Sequence, residues 1–276
     1  MPRLTIIIVT YNSRDEIDAC LDSLSRYPPA TNHDVVVVDN ASPDGTASAI
    51  RARWPRVRVI DAGGNHGFAA ANNIGFRHTA GELVLLLNPD TRVPQGAVDT
   101  LVRILDADAG VAIVGPRLVD SRGGAELSFG AMISPLAELR QKALVRGNDR
   151  GVPIVRSVVE RLTGVSKDVD WVSGACLLVR RADAEAAGLM DERYFMYVED
   201  VDFCAAIRAR GRRIRFAADA TVVHARGRSV ASAPERITAA YRHSQLAFYE
   251  KHHPGWVPFL RYYLKVTGRL PDTPIK

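Results

Sequence analysis

Cysteine is scarce, apolar runs are short, and neither common phosphate-loop fingerprint is present in this chain of 276 residues. The three cysteines, Cys20, Cys176 and Cys204, are odd in number and far apart, so they form neither a disulfide framework nor a CxxC metal or redox site. A reducing, cytoplasmic compartment is the expectation. No segment approaches the roughly 20 apolar residues of a membrane-spanning helix. Met1–Thr10 has neither the apolar core nor the cleavage site of a secretory signal and reads as a first core strand. The absence of GxGxxG and GxxxxGK[ST] leaves a dinucleotide fingerprint and a P-loop unsupported. Helix-turn-helix and zinc-finger spacings are missing too, which argues against nucleic acid as a partner. No repeat, low-complexity tract or clear linker divides the chain.

What remains is an ordinary soluble composition, 47% hydrophobic and 24% charged, long enough for one large α/β domain or two small ones. The net charge of +5 is unevenly placed, because residues 205–276 carry 14 Lys or Arg against 4 Asp or Glu and residues 1–204 are net acidic. Such asymmetry fits a basic carboxy-terminal face that meets phosphates, lipid headgroups or nucleic acid, and equally fits a solvated basic surface.

Short β-branched runs at Leu4–Thr10, Val35–Asp39, Val57–Ile60 and Glu82–Leu87 alternate with helical patterns at Asp15–Arg26, Thr46–Trp54 and Ala69–His78. The alternation predicts βαβ units with a buried, mostly parallel sheet whose ligands bind at the carboxyl ends of the strands. A helix over Gln95–Ala107 and a strand over Val111–Gly115 extend the pattern. Residues 121–167 read as irregular, an insertion or acceptor-facing region. The pattern resumes with a strand over Trp171–Arg180, helices near Ala182–Ala187 and Asp200–Arg210, a strand near Ile214–Ala217 and a helix over Glu235–Lys251. Residues 252–276 mix Trp256, Phe259, Tyr262 and Tyr263 with Arg261 and Lys265.

Polar turns follow the strands. Asp39, after four valines, is a carboxylate that can accept from ribose hydroxyls or a pyrimidine imide N–H, or else merely anchors an Asx turn ahead of Thr46. Gly63–Phe68 lets backbone N–H groups approach a phosphate or sugar closely, with a plain glycine turn as the alternative. Asp90, in Asn88-Pro89-Asp90, is the first acid after an apolar strand and suits a hard divalent cation shared with substrate phosphates, although NPD is also a common turn. Glu199, Asp200 and Asp202 adjoin Tyr194-Phe195-Met196-Tyr197 at a helix start. They fit either helix-dipole acids or a catalytic carboxylate in an aromatic pocket. His224 ends another apolar stretch and reads as structural or as a ligand according to its neighbours.

In order and spacing these segments resemble the family 2 glycosyltransferases of the GT-A fold, in particular their bacterial rhamnosyltransferase-like branch. The resemblance rests on Ile8–Asn12, Val38–Ser42, Asn65–Ala69, Asn88–Asp90, Trp171–Ala175, Tyr197–Asp200 and His224 and runs almost end to end. It implies an α/β GT-A fold, a nucleotide-sugar donor, Mg²⁺ or Mn²⁺, and transfer with inversion. Thr10, Tyr11, Asn12, Asp39, Asn65 and Gly67 would then bind the nucleotide. Asn88, Trp171, Gly174 and Glu199 would line the donor and acceptor pocket. Asp90 corresponds to the metal-binding acid of the family's DxD motif, whose first aspartate is here Asn88, and His224 adds a ligand. Asp200 matches the general base.

The expected layout is a glycosyltransferase domain over residues 1–251, with a nucleotide-sugar half over 1–120 and an acceptor half over 121–251, followed by a basic aromatic tail over 252–276. The expected reaction moves a sugar, best L-rhamnose from dTDP-rhamnose, to a glycan or lipid-linked glycan in cell-surface polysaccharide synthesis. UDP-galactofuranose and UDP-GlcNAc are the alternative donors. A nucleotide-sugar pyrophosphorylase, the competing enzyme class, would want a glycine-rich basic loop where Tyr11-Asn12-Ser13 stands. The tail suggests a peripheral enzyme on the inner face of the cytoplasmic membrane, and a homodimer is compatible with the same aromatics.

Overall fold

The computed structural model describes residues 1–225 and 234–271. Strands β1 (Leu4–Thr10), β2 (His33–Asp39), β3 (Arg58–Asp61) and β4 (Leu83–Leu87) alternate with helices α1 (Arg14–Arg26), α2 (Thr46–Arg53) and α3 (Gly67–Arg77). β1 is buried along its whole length. Its alternate residues serve two cores: Leu4, Ile6 and Ile8 pack with Ile17, Leu21 and Leu24 of α1, while Ile7 and Val9 pack with Ala69, Ala71 and Phe76 of α3. A strand covered on both faces has no polar side, and this explains the unbroken apolar run.

After β4 come β5 (Thr91–Arg92), α4 (Ala97–Ala107), β6 (Val111–Val119), β7 (Phe129–Gly130), α5 (Pro135–Asp149) and α6 (Pro153–Thr163). Then follow β8 (Lys167–Val169), β9 (Trp171–Val172), β10 (Cys176–Arg180), α7 (Arg181–Ala186), α8 (Glu199–Arg208) and β11 (Arg213–His224). The chain ends in α9 (Pro234–His252) and, after a 3-10 turn at Pro254–Trp256, α10 (Val257–Val266). The main sheet runs β3-β2-β1-β4-β10-β6-β11-β5, with β8 also on β11, and β7 pairs with β9 in a small second sheet.

Register decides what the sheet edge carries. Parallel pairing sets Thr10 beside Asp39 and Ile8 beside Leu87, so the residues after β1, β2 and β4 open on one edge. β10 runs antiparallel with Cys176 opposite Leu87, which brings the preceding Ser173–Ala175 turn to that edge. β11 parallels β6 and ends with His224 opposite Thr91, so its last residue arrives there as well.

Three sequence expectations need correction. Residues 121–167 are not irregular but hold β7, α5 and α6. α5 has no buried apolar residue, and its inward contact is polar. Glu138 receives hydrogen bonds from Tyr241 Oη at 2.8 Å and Tyr249 Oη at 3.0 Å. A helix held this way shows no apolar stripe. The expected strand over Trp171–Arg180 is broken at Ser173–Ala175, and β11 runs on to His224 past a register shift between Ala217 and Thr221. The basic stretch is also less of a free face than its charge suggests. Arg208 pairs with Asp170, Arg212 with Asp183, Arg213 with Asp108 and Asp168, and Arg215 with Asp168. All three cysteines are buried, and burial pushes the Cys20 thiol up to about 12, so no reactive thiolate forms near neutrality.

α9 is fastened to α8 by Asp202, which is 1% exposed. Its carboxylate accepts from Lys251 Nζ at 2.8 Å, lies 2.6 Å from His252 Nε2 and accepts from Tyr194 Oη at 3.2 Å. Removing a buried, multiply bonded acceptor leaves its donors unsatisfied. Asp202→Ala is expected to destabilise the fold by about 2–4 kcal/mol, measured as a shift of the urea midpoint. A loss under about 0.5 kcal/mol, the ordinary surface value, would show that the cluster does not clamp α9.

Candidate active site

At the β1–β2 end of the edge, Asp39 is 3% exposed. It accepts from Thr10 Oγ1 at 2.9 Å, Ser42 N at 2.9 Å and Ser42 Oγ at 2.6 Å. Ser42 Oγ in turn accepts from the Asn12 N–H at 3.0 Å. The Asx turn ahead of Thr46 is made by Asp44, whose Oδ1 accepts from Thr46 N at 3.0 Å, while Asp39 braces the turn after β2. A carboxylate offers about four acceptor positions, so roughly one remains for a ligand donor. Tyr11 stands beside it, 44% exposed, offering a ring face at the strand end.

Asn40, 2% exposed, ties this end to the glycine loop. Its Nδ2 donates to Gly67 O at 3.1 Å, and its Oδ1 accepts from His66 N at 3.4 Å. Asn65 Oδ1 accepts from Gly67 N at 3.2 Å. The loop docks on the aromatic segment before α8, where Phe68 N donates to Phe195 O at 2.7 Å. Gly67 has φ +84, and a Cβ there would stand 2.2 Å from Phe195 O. Glycine is required at this position on both counts.

The Asn88–Asp90 turn packs on the Ser173–Ala175 turn through Asn88 N to Ala175 O, 2.9 Å. His224 closes the same corner. Its Nε2 is 3.4 Å from Asp90 Oδ1, and its Nδ1 is 3.2 Å from Glu126 Oε2. Burial disfavours the imidazolium, but hydrogen bonds to Asp90 and Glu126 and their charges outweigh it and push the pKa up to about 9. Asp90 and His224 meet at one corner, where a bound cation would have to replace the proton on His224 Nε2. Among the described residues no three His, Cys, Asp or Glu side chains form a closed cage. This pair fits a hard divalent cation that completes its shell with diphosphate oxygens and water.

Glu199 and Asp200 open α8 beyond an unusual turn in which Tyr197 and Val198 both have φ +70. Gly174 N donates to Asp200 Oδ2 at 2.8 Å and Val201 N to its Oδ1 at 2.8 Å. Burial raises the Asp200 pKa above its ordinary value, although these N–H bonds pull it down. Glu199 is 6% exposed, and its Oε2 has no hydrogen-bond partner. Burial and the neighbouring Asp200 charge push its pKa well above the carboxylate range. Two adjacent acids in one dry site do not ionise together easily, and of the two Glu199 is the more strongly disfavoured as an anion.

The structure joins most of the sequence candidates through direct contacts. Thr10, Asn12 and Asp39 share one network, Asn65 and Gly67 share another, Asp90 meets His224, and Gly174 meets Asp200. Trp171 stands apart from these bonds, donating Nε1 to Ala131 O at 2.9 Å across the small sheet. Asp202 is absorbed by the α9 clamp. Glu126 is the functional candidate that sequence reading missed. It lies in the stretch read as irregular, and its only sequence signal is an acid between the apolar Ala125 and Leu127.

A mostly parallel sheet flanked by helices, with polar turns gathered on one edge, is the architecture of the GT-A glycosyltransferases. The family model for glycosyl transferase family 2 matches residues 5–150. The N-acetylglucosaminyl-diphospho-decaprenol L-rhamnosyltransferase of Mycobacterium tuberculosis is 32% identical, with 92% of this chain and 86% of that protein covered. Rhamnosyltransferase WbbL of Escherichia coli is 23% identical over 79% of this chain and 82% of that protein. Among solved structures, the mannosyltransferase PcManGT of Pyrobaculum calidifontis, in complex with GDP-Man and Mn²⁺, superposes with a TM-score of 0.62 at 22% identity, covering 94% of this chain and 68% of that one. The chain belongs to glycosyl transferase family 2 and is an enzyme of that class.

Gly67→Ala tests the docking of the glycine loop. Left-handed backbone alone costs a residue with a Cβ about 1–2 kcal/mol, and the Phe195 carbonyl leaves no room for that carbon. The variant is expected to lose at least about 1 kcal/mol of stability and to expose the Gly63–Phe68 amides to faster hydrogen exchange. Unchanged exchange would mean that the loop does not depend on this contact.

Proposed function

We propose that the protein is an inverting rhamnosyltransferase that moves L-rhamnose from dTDP-rhamnose to a lipid-linked glycan in cell-surface polysaccharide synthesis. The observation that carries the inverting chemistry is the Ser173–Ala175 turn. Its Gly174 N–H holds Asp200, while its Ala175 carbonyl holds the Asn88–Asp90 turn. This shared segment supports a reading in which Asp200 is the base and the Asn88–Asp90 turn meets the diphosphate end of the donor. Rhamnose and the diphosphate-linked acceptor are supported by what the M. tuberculosis and E. coli relatives are named for.

In this reading the acceptor hydroxyl gives its proton to Asp200, and its oxygen attacks the anomeric carbon from the face opposite the diphosphate. The anomeric C–O bond breaks, and its electron pair leaves with the nucleoside diphosphate. Thr10, Tyr11, Asn12, Asp39, Asn65 and Gly67 bind the nucleotide, while Asn88, Trp171, Gly174 and Glu199 line the sugar pocket. Asp90 and His224 would hold Mg²⁺ or Mn²⁺ shared with the diphosphate, supplying positive charge toward the leaving group. Glu126 orients the His224 ring through Nδ1.

Asp200→Asn is nearly isosteric and should lower kcat by roughly 10²–10⁴ with donor affinity almost unchanged. A raised carboxyl pKa means the base is lost on the acid side: kcat/KM should fall as pH drops through a value above the ordinary range of aspartate. Wild-type turnover in Asp200→Asn would overturn the assignment.

Chelation by EDTA should abolish transfer, and full turnover in chelator would remove the metal from the reading. Asp90→Ala should stay folded and lose Mn²⁺-dependent dTDP binding, while Glu126→Gln should weaken that binding by about 10–100-fold, as read by calorimetry.

A thermal-shift series with dTDP-, UDP- and GDP-sugars in Mn²⁺ identifies the donor. The largest shift is expected with dTDP-rhamnose, and a larger one with UDP-galactofuranose or UDP-GlcNAc would reassign it.

A further inference from the structure

α10 has one face inside the fold and another outside it. Leu264 is fully buried, and Val257 and Leu260 pack against the cluster of Tyr194, Val198, Phe248 and Tyr249. At 100° per residue, Phe259, Tyr262, Tyr263 and Val266 share an arc of about 100° on a different side. They are 67%, 72%, 50% and 68% exposed. Trp256, 51% exposed, packs on Phe259 with ring centroids 5.7 Å apart. Large aromatics gathered on one outward arc mark an interaction surface, not scattered surface apolars.

A second element adds to this face. His253 Nε2 lies 2.7 Å from Ile133 O, which brings the first turn of α5 beside the turn that starts α10. There Glu138 is turned inward to Tyr241 and Tyr249, while Leu136 and Leu139 stand 81% and 67% exposed, next to the exposed Arg140.

Charge selects the occupant. Residues 251–271 contain no Asp or Glu. Lys251 and Arg261 are engaged with Asp191, Asp202 and Glu250. Lys265 and Arg269 are exposed, and Lys265 lies on the flank of the aromatic arc. A second copy meeting this helix about a two-fold axis would set these cations against each other. An anionic bilayer complements them, and tyrosine and tryptophan suit its interface because one end of each is apolar and the other polar.

We propose that the outer face of α10, together with the first turn of α5, docks the enzyme on an anionic lipid bilayer. The surface stands whether or not the acceptor is lipid-linked. If it is, docking would bring the acceptor pocket to the plane in which the lipid carrier resides.

The test is co-sedimentation of the full chain, without donor or acceptor, with vesicles of phosphatidylcholine alone or of phosphatidylcholine and phosphatidylglycerol in equal parts. Binding is expected to the anionic vesicles, to weaken as salt rises, and to be slight with the neutral ones. Phe259→Ser/Tyr262→Ser should cut it at least about tenfold, and Lys265→Glu/Arg269→Glu should remove the preference for anionic lipid. Both doubles change exposed positions, so unchanged melting temperatures confirm that the fold is kept. The proposal is overturned by no binding at low salt, by equal binding to neutral vesicles, or by variants that bind as wild type. It is overturned equally by a lipid-free dimer that Phe259→Ser/Tyr262→Ser dissolves, which would assign the face to a second copy. Because no sugar nucleotide is present, none of these outcomes depends on the donor or on the transfer reaction.

Discussion

The junction at Ser173–Ala175 links the start of α8 to the turn after β4: the Gly174 N–H donates to the Asp200 carboxylate, and the Ala175 carbonyl accepts from the Asn88 N–H. It exists because β10 enters a parallel neighbourhood antiparallel, with Cys176 opposite Leu87, so the turn before it must sit beside the turn after β4. That turn packs tightly on α8 at Gly174, where a Cβ would lie 3.3 Å from both Asp200 and Phe68. The aspartate and the end of the glycine loop thus meet at one glycine. A charge-assisted hydrogen bond of this kind keeps a carboxylate oriented in a dry site without neutralising it. Burial raises the pKa of the same group and so makes it a stronger base, while the N–H bonds from Gly174 and Val201 restrain the rise.

Backbone strain follows the same edge. Among the described residues, five that are not glycine have positive φ: Asn12, Ala41, Leu189, Tyr197 and Val198. All but Leu189 lie on the turns that build the site. Asn12 and Ala41 follow β1 and β2, and Tyr197 and Val198 precede Glu199. For a β-branched residue such as Val198 this conformation costs about 1–3 kcal/mol and persists only where the surroundings dictate it. Val198 is buried with Tyr194, Val201, Phe248 and Tyr249, so packing against α9 holds the turn that aims α8. The aromatic cluster between α8 and α9 is thus part of what positions the acids, by packing and, at Asp202, through the Tyr194 hydroxyl.

How much of this could be read from sequence depended on whether a contact left a periodic trace. β1, β2 and β4 and their polar turns were legible because each strand is apolar on both faces and stops abruptly at Asn12, Asp39 and Asn88. The membership of Asp90, Asp200 and His224 in one site came through resemblance, since no local pattern joins residues more than 100 positions apart. α5 was illegible for a physical reason. Its inward face is Glu138 meeting two tyrosines, and a helix docked by hydrogen bonds shows neither a 3.6-residue apolar repeat nor an interior breaker. Glu126 was hidden with it. Asp202 was ambiguous in sequence beside Asp200, and only the bonds from Lys251 and Tyr194 assign it to stability.

The charge pattern carries the same lesson in another form. A carboxy-terminal stretch with 14 basic and 4 acidic residues suggests a basic surface, yet in the fold Arg208, Arg212, Arg213 and Arg215 face Asp170, Asp183, Asp108 and Asp168 from the acidic part of the chain. These pairs are partly exposed, and each contributes at most about 1 kcal/mol. Their larger effect is on the field, because a cation with a carboxylate at hydrogen-bond distance presents little potential to a distant anion. Four of the fourteen cations, on and just before β11, are offset in this way. Lys265 lies on α10 at the flank of the exposed rings, and residues 251–271 around it contain no acid. Total charge therefore does not locate a basic surface; which cations face a carboxylate in the fold does.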